Sequence, residues 1–126
     1  MVIHDGARPL VTVALIERGL EAARETGAAI AAVPVTDTIK LAGDDQMVQG
    51  TPPRHNLWAV QTPQVFRFDI INEAYRQAKY EVTDDATLVE RLGKKVKLYM
   101  GSYDNIKITN PADLIISEVL WQKYAR

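Results

Sequence analysis

The chain has no cysteine, which removes disulfides, thiolate metal sites and a cysteine nucleophile together. It has almost no net charge. Its 15 basic and 16 acidic side chains leave a formal charge of -1, so no long-range pull toward nucleic acid or an anionic membrane is expected. Any anion site has to be local. No apolar run reaches the ~20 residues that span a bilayer, and the N-terminus lacks the charged and apolar regions of a signal peptide. The expectation is a cytoplasmic protein with no membrane partner and no nucleic acid as substrate. Walker, HExxH, GxSxG and dinucleotide glycine motifs are all missing, which takes the strongest markers from P-loop, protease and hydrolase readings. What is present is a chain of 126 residues, 47% hydrophobic, enough for one domain or part of one.

Met1-Val2-Ile3 reads as a very short strand that runs into the polar turn His4-Asp5-Gly6-Ala7-Arg8-Pro9. A carboxylate just past a strand's C-terminal end is where open α/β sheets place ligand contacts. Asp5 is therefore a candidate, with a loop aspartate bonding nearby backbone N–H groups as the alternative. A salt bridge to Asp5 is the bland reading of Arg8, and a packed strand-end histidine that of His4. Thr12 caps a helix with Leu15, Ile16, Leu20 and Ala23 at helical spacing, ended by Gly27. Ala28 to Val35 is a small apolar run typical of a strand covered on both faces, with Pro34 at its end. Strand, helix and strand imply a parallel crossover.

Between Thr36 and Val60 little could form a core. Ile39-Lys40-Leu41 and Gln46-Met47-Val48 around Asp44-Asp45 predict a protruding β-arm, against the alternative of a surface loop. Such a ribbon needs cover from the body or from a second subunit. Thr38 and Arg54 lie at its two ends and can meet in space. Gln61-Thr62-Pro63-Gln64 reads as a polar hinge. A helix over Arg67 to Ala78 buries Ile70, Ile71, Ala74 and Tyr75. Thr83-Asp84-Asp85 caps a helix carrying Ala86, Leu88, Val89 and Leu92, and Lys95 to Tyr99 alternates as a strand. Around Asn105 to Thr109 a second alternation turns Ile106 and Ile108 inward and Lys107 outward, beside Asp104. A lysine so placed suits an anion, or is a solvent-facing lysine on an edge strand. Asn110-Pro111-Ala112-Asp113 starts a last helix that carries Leu114, Ile115, Val119 and Leu120 inward, with Trp121 closing against the sheet.

Five stretches in order, His4-Asp5-Gly6-Ala7-Arg8-Pro9, Pro34-Val35-Thr36-Asp37-Thr38-Ile39-Lys40, Leu57-Trp58-Ala59-Val60-Gln61-Thr62-Pro63-Gln64, Val82-Thr83-Asp84-Asp85-Ala86 and Asp104-Asn105-Ile106-Lys107-Ile108-Thr109, resemble the 2-C-methyl-D-erythritol 4-phosphate cytidylyltransferase family. The resemblance implies an α/β fold: part of a Rossmann-like nucleotidyltransferase sheet with flanking helices and a protruding β-arm. Residues 1–126 would be the C-terminal part of a single nucleotidyltransferase domain, with residues 36–60 as a dimerisation arm of a homodimer. The implied reaction joins CTP and 2-C-methyl-D-erythritol 4-phosphate into 4-diphosphocytidyl-2-C-methyl-D-erythritol and pyrophosphate, in non-mevalonate isoprenoid biosynthesis. By the same resemblance Arg54 and Lys107 are the catalytic cations holding the acceptor phosphate. Asp5, Arg8, Thr38, Thr62 and Thr83 bind substrate, Thr38 and Arg54 from the partner subunit. Asp5 and Asp104 are the metal candidates, for Mg²⁺. Charge neutralisation by such groups is what nucleotidyl transfer needs.

One departure is large. The family's glycine-rich loop, with the arginine and lysine that cradle the triphosphate, has no counterpart here. The expectation is a fragment carrying the acceptor side of the site, inactive alone and unstable or oligomeric. Two other readings remain open: a non-catalytic dimerisation or substrate-binding module, and another sugar nucleotidyltransferase.

Overall fold

The computed structural model describes residues 1–79 and 84–124. Along the chain come β1 (Val2–Ile3), α1 (Val13–Thr26), β2 (Ala28–Pro34), β3 (Leu41–Ala42), β4 (Val48–Gly50), β5 (Trp58–Phe66), α2 (Phe68–Arg76), α3 (Asp85–Arg91), β6 (Lys97–Met100) and α4 (Pro111–Trp121). Four strands form one sheet in the order β1-β5-β2-β6, while β3 and β4 pair only with each other. Strand β5 runs antiparallel to β1 and to β2, and β2 runs parallel to β6. Strands β1 and β2 therefore point the same way, as a crossover through α1 requires, but β5 is inserted between them. The mixed α/β class expected from the sequence is the one observed.

The sheet is organised by β2. Every position from Ala28 to Val33 is buried, and the two-residue period of a strand sends alternate side chains to opposite faces. Ala28 and Ile30 join Phe66, Ile71, Ala74, Ala86, Leu88 and Val89 beneath α2 and α3. Ala29 and Ala31 join Leu15, Ala22, Ala23, Val65 and Tyr99 beneath α1. Alanines on both sides let the helices approach closely, so this strand is apolar without alternation. Helix α1 begins where Thr12 accepts from the Leu15 amide and ends at Gly27 in the left-handed region, φ 81°.

Gly19 marks the closest approach of α1 to the sheet. A methyl group there would meet the Tyr99 hydroxyl at 2.7 Å and Val65 Cγ2 at 2.9 Å. Alanine would gain helix propensity of about 1 kcal/mol but overpack a filled interface at about 1–3 kcal/mol. Gly19→Ala is expected to destabilise the chain by roughly 1 kcal/mol, read from the denaturant midpoint.

Three sequence expectations change. Residues Gln61 to Gln64 are no hinge but the interior of β5. Ile30 pairs with Gln64 and Ala32 with Val60, so between these pairs the single residue Ala31 of β2 faces Gln61, Thr62 and Pro63 of β5. The extra residues form a bulge, the position in a sheet that tolerates Pro63. Residues 105–109 are not a strand: among the described residues their one backbone tie to another segment runs from Ile108 N to Ala7 O, 2.9 Å, too little for a ladder. Helix α4 turns its apolar residues outward. Leu114, Ile115, Ile116, Val119 and Trp121 are exposed and only Ser117 is buried, because no described element packs against that face. Its start is as expected, a reciprocal cap between Asn110 and Asp113 behind Pro111.

The β-arm is present, shifted from the expected strands: Leu41 pairs with Gly50 and Ala42 with Val48. Leu41, Met47 and Val48 on it are exposed. No helix among the described residues is long and apolar enough to cross a membrane.

Candidate functional site

Three short segments meet at the bulge of β5: the turn after β1, the bulge itself, and the loop after β6. Bulging leaves ladder groups unpaired, and side chains take them up. Asn105 Nδ2 donates to Thr62 O at 2.7 Å and to Gln61 Oε1 at 3.3 Å. Gln61 in turn donates to Ser102 O at 2.9 Å and accepts from Ser102 N at 3.3 Å. Tyr99 donates to Pro63 O at 2.7 Å, and its burial raises the phenol pKa to about 12, so it stays a donor. Asn105 is 1% exposed, and it carries the loop's geometry into the sheet.

The turn after β1 is built on the same frame. Asp5 N donates to Thr62 Oγ1 at 2.9 Å, and Arg8 N donates to Asp5 O at 3.0 Å. The Asp5 carboxylate accepts from Ala7 N at 3.1 Å through Oδ1 and pairs with Lys107 Nζ at 3.1 Å through Oδ2. The Ala7 amide first, and Lys107 second, hold its pKa below the ordinary aspartate value, so it is ionised throughout the neutral range. Arg8 does not pair with Asp5. Its Nη1 donates to Asn105 O at 2.7 Å, and its Nε is buried without a partner among the described residues. Partial burial pulls the Arg8 pKa down and Asp5 opposes that; a guanidinium remains a cation regardless.

Asp5, Arg8 and Lys107 thus come together, and the loop reading of Asp5 is the one seen: one oxygen accepts from the Ala7 amide and closes the turn, while the other faces Lys107. Lys107 is 50% and Asp5 27% exposed at the side chain, a pair open enough for either partner to change. Asp104, expected beside Lys107, is committed elsewhere: its Oδ2 accepts from Tyr124 Oη at 2.8 Å and pairs with Lys123 Nζ at 3.0 Å. The Tyr124 hydrogen bond, then Lys123, keep its pKa low. Asp104 ties the loop to the segment after α4 and is not delivered to the cluster as a metal ligand.

Thr62, expected to bind substrate, has its hydroxyl occupied by Asp5 N and by the His4 ring, so it holds the turn from within. Arg54 sits in a 3-10 turn at the base of the arm and donates to Thr36 O at 2.9 Å. That contact closes the arm's two ends; Thr38, two residues past Thr36, is exposed, and among the described residues neither Arg54 nor Thr38 is bonded to the Asp5 cluster. Thr83 lies outside the described residues, and Asp84 is the cap of α3, accepting from Thr87 N at 3.0 Å. Asn105 and Gln61 were not singled out from the sequence. Their one signal is amide side chains inside apolar stretches, where a buried amide needs partners.

The donor set bears on a metal. No group of three or more His, Asp or Glu side chains converges among the described residues. A single ionised carboxylate suits Mg²⁺ shared with substrate phosphates and waters, and does not suit an all-protein cage.

The model of the family described as 2-C-methyl-D-erythritol 4-phosphate cytidylyltransferase (IspD) matches residues 1–123. A relative of that name from Alkaliphilus oremlandii is 54% identical over 121 residues, 94% of this chain and 51% of the relative. One from Dehalococcoides mccartyi is 53% identical over 123 residues, 98% of this chain and 54% of its own length. Among solved structures, 4-diphosphocytidyl-2C-methyl-D-erythritol synthase from Anaerococcus prevotii superposes with TM-score 0.88 at 36% identity, covering 96% of this chain and 57% of its own. The 2-C-methyl-D-erythritol 4-phosphate cytidylyltransferase from Thermus thermophilus gives TM-score 0.84 at 40% identity, with 96% and 61% covered. The chain spans about half the length of the curated relatives it matches. By the family match over nearly its whole length, the chain belongs to the 2-C-methyl-D-erythritol 4-phosphate cytidylyltransferase family.

Proposed function

We propose that this chain supplies the acceptor side of a cytidylyltransferase that converts CTP and 2-C-methyl-D-erythritol 4-phosphate to 4-diphosphocytidyl-2-C-methyl-D-erythritol and pyrophosphate. The observation that carries the reading is the convergence of Asp5, Arg8 and Lys107 at the loops that follow β1 and β6. In the reaction an acceptor phosphate oxygen attacks the α-phosphorus of CTP, and the bond to the β-phosphate oxygen breaks. Lys107 gives up Asp5 for the incoming phosphate, and Arg8, with an unpartnered Nε in its buried stem, faces the acceptor. A phosphate oxygen is already a nucleophile, so these side chains bind and neutralise without moving a proton. Asp5 would hold Mg²⁺, which supplies neutralisation of the triphosphate charge when bound. Triphosphate binding would require groups that the described residues do not offer, so the chain alone is expected to bind acceptor without turnover.

The arm of residues 36–60 fits a homodimer contact. Its strands pair only with each other and carry exposed Leu41, Met47 and Val48, and a free two-stranded ribbon with apolar side chains is marginal until something covers it. On that reading Arg54 and Thr38 complete the partner subunit's acceptor pocket. A cytoplasmic setting, where CTP is made, belongs to the same reading.

Titration of the purified chain with 2-C-methyl-D-erythritol 4-phosphate tests this. Saturable binding is expected, with no pyrophosphate released when CTP and Mg²⁺ are added. Absence of binding at millimolar ligand would refute the acceptor role, and steady pyrophosphate release would refute the half-site reading.

A further inference from the structure

His4 has no part in the reaction as described, yet its ring is held at both nitrogens. Nε2 lies 2.9 Å from Arg8 O and Nδ1 lies 2.9 Å from Thr62 Oγ1. A carbonyl oxygen only accepts, so Nε2 carries the hydrogen. In the neutral ring Nδ1 is then the acceptor, and the Thr62 hydroxyl must donate to it. Having given its one hydrogen to His4, Thr62 Oγ1 accepts the Asp5 amide at 2.9 Å. The bonds therefore run in one direction: Asp5 N–H to Thr62 O–H to His4 Nδ1, and His4 Nε2–H to Arg8 O. Aligned donors polarise one another, so such a chain is stiffer than its separate links. The Arg8 amide returns to Asp5 O at 3.0 Å and closes the ring. Its two ends are the backbones of Asp5 and Arg8, the residues whose side chains face the acceptor.

We propose that His4, acting through Thr62, is a positioning residue for the acceptor site: as its Nε2–H tautomer it clips the Arg8 carbonyl to the Thr62 hydroxyl and so sets where the Asp5 carboxylate and the Arg8 guanidinium point. This rests on the acceptor-site reading above. His4 and Thr62 touch no ligand on this account. A merely packed strand-end histidine could take any partners, water included, for its donor and acceptor nitrogens, and would not require the hydroxyl at position 62.

The experiment uses the intact chain and its Thr62→Val, Thr62→Ser, His4→Ala and His4→Gln variants. Nitrogen-15 NMR of the imidazole in the parent is expected to read the Nε2–H tautomer; the Nδ1–H tautomer overturns the proposal. Amide hydrogen exchange, which needs no ligand, is expected to quicken at Asp5 and Arg8 by about tenfold or more in Thr62→Val and His4→Ala. Protection of Ala29 to Ala32 should be unchanged, which certifies that the fold survives. Thr62→Ser restores the hydroxyl and is expected to restore protection, while His4→Gln keeps only the bond to Arg8 O and recovers part. Acceptor affinity, measured with 2-C-methyl-D-erythritol 4-phosphate, should fall about tenfold in Thr62→Val and return to within about twofold in Thr62→Ser. Unchanged exchange at Asp5 and Arg8 sinks the clip whatever the ligand does. Quickened exchange with unchanged affinity sinks the positioning role while leaving the acceptor reading intact. If the parent binds no acceptor, the acceptor reading fails and the positioning role falls with it, while the exchange data still decide whether the clip exists.

Discussion

Lys107→Ala is expected to weaken binding of 2-C-methyl-D-erythritol 4-phosphate by about 10- to 100-fold, while changing stability by well under 1 kcal/mol. A charge-assisted bond to phosphate contributes roughly 1.5–3 kcal/mol, and 1.4 kcal/mol is a factor of ten. The ion pair that the same substitution removes is half-exposed on the lysine side, and exposed pairs contribute about 0–1 kcal/mol before screening. Affinity and stability should therefore separate in this variant. Calorimetric titration measures the first and a urea melt the second. Loss of stability in step with loss of binding would mean that Lys107 holds the loop through Asp5 and serves the phosphate only indirectly. The pH dependence points the same way. The folded-state pKa of Asp5 is depressed, so what stability its pairing confers is present above the ordinary aspartate range and lost only as pH falls through the lowered value. Acceptor binding between pH 6 and 8 should not track this carboxylate.

Asn105→Ala is expected to have the opposite profile, costing about 3 kcal/mol of stability. The side chain is essentially fully buried and spans from the loop after β6 to the bulge of β5. Truncation would leave Thr62 O without its donor and weaken the hold on Gln61. Each orphaned buried group costs roughly 1–3 kcal/mol, and a small void adds to that. The backbone carbonyl of Asn105 also receives Arg8, so binding should fail together with folding. A denaturant midpoint shift equivalent to less than about 1 kcal/mol would show that water can replace the amide in the bulge.

Much of the scaffold was legible because its signals are local. Thr12, Gly27, Asp84 and the Asn110-Pro111-Ala112-Asp113 start are caps whose mechanism acts within one turn, and α1, α3 and α4 begin or end where those residues say. The enclosed strand β2 was readable from unbroken small apolar residues, since only cover on both faces tolerates that pattern. The pairing of Asp5 with Lys107 was not read from the sequence, which set Lys107 beside Asp104 and placed Asp5 in the same site only through the family resemblance; 102 positions separate the two and no local rule connects them. Thr62 and Asp104 carried the right chemistry for ligands, but tertiary partners claimed them first. His4 contacts the Thr62 hydroxyl, Asp5 donates to it, and Tyr124 and Lys123 hold Asp104. Those partners lie on other elements, and a bulge that turns a polar stretch into a frame leaves no periodic trace. Helix α4 misled for a simpler reason: apolar residues announce that a face will be covered, and say nothing about whether the cover is in the same 126 residues.

The two ends of the β-arm are tied to each other, through Val35 N to Leu57 O at 3.1 Å and Arg54 to Thr36 O at 2.9 Å, and among the described residues its strands pair with nothing else. A segment joined so narrowly behaves as a cassette. Residues 36–57 could be exchanged for the equivalent stretch of another family member with no core side chain disturbed, because no residue from 36 to 57 is buried. On the proposed reading of the arm, choice of partner subunit and choice of acceptor would then travel together on one transplantable piece, leaving the sheet as a common chassis beneath it.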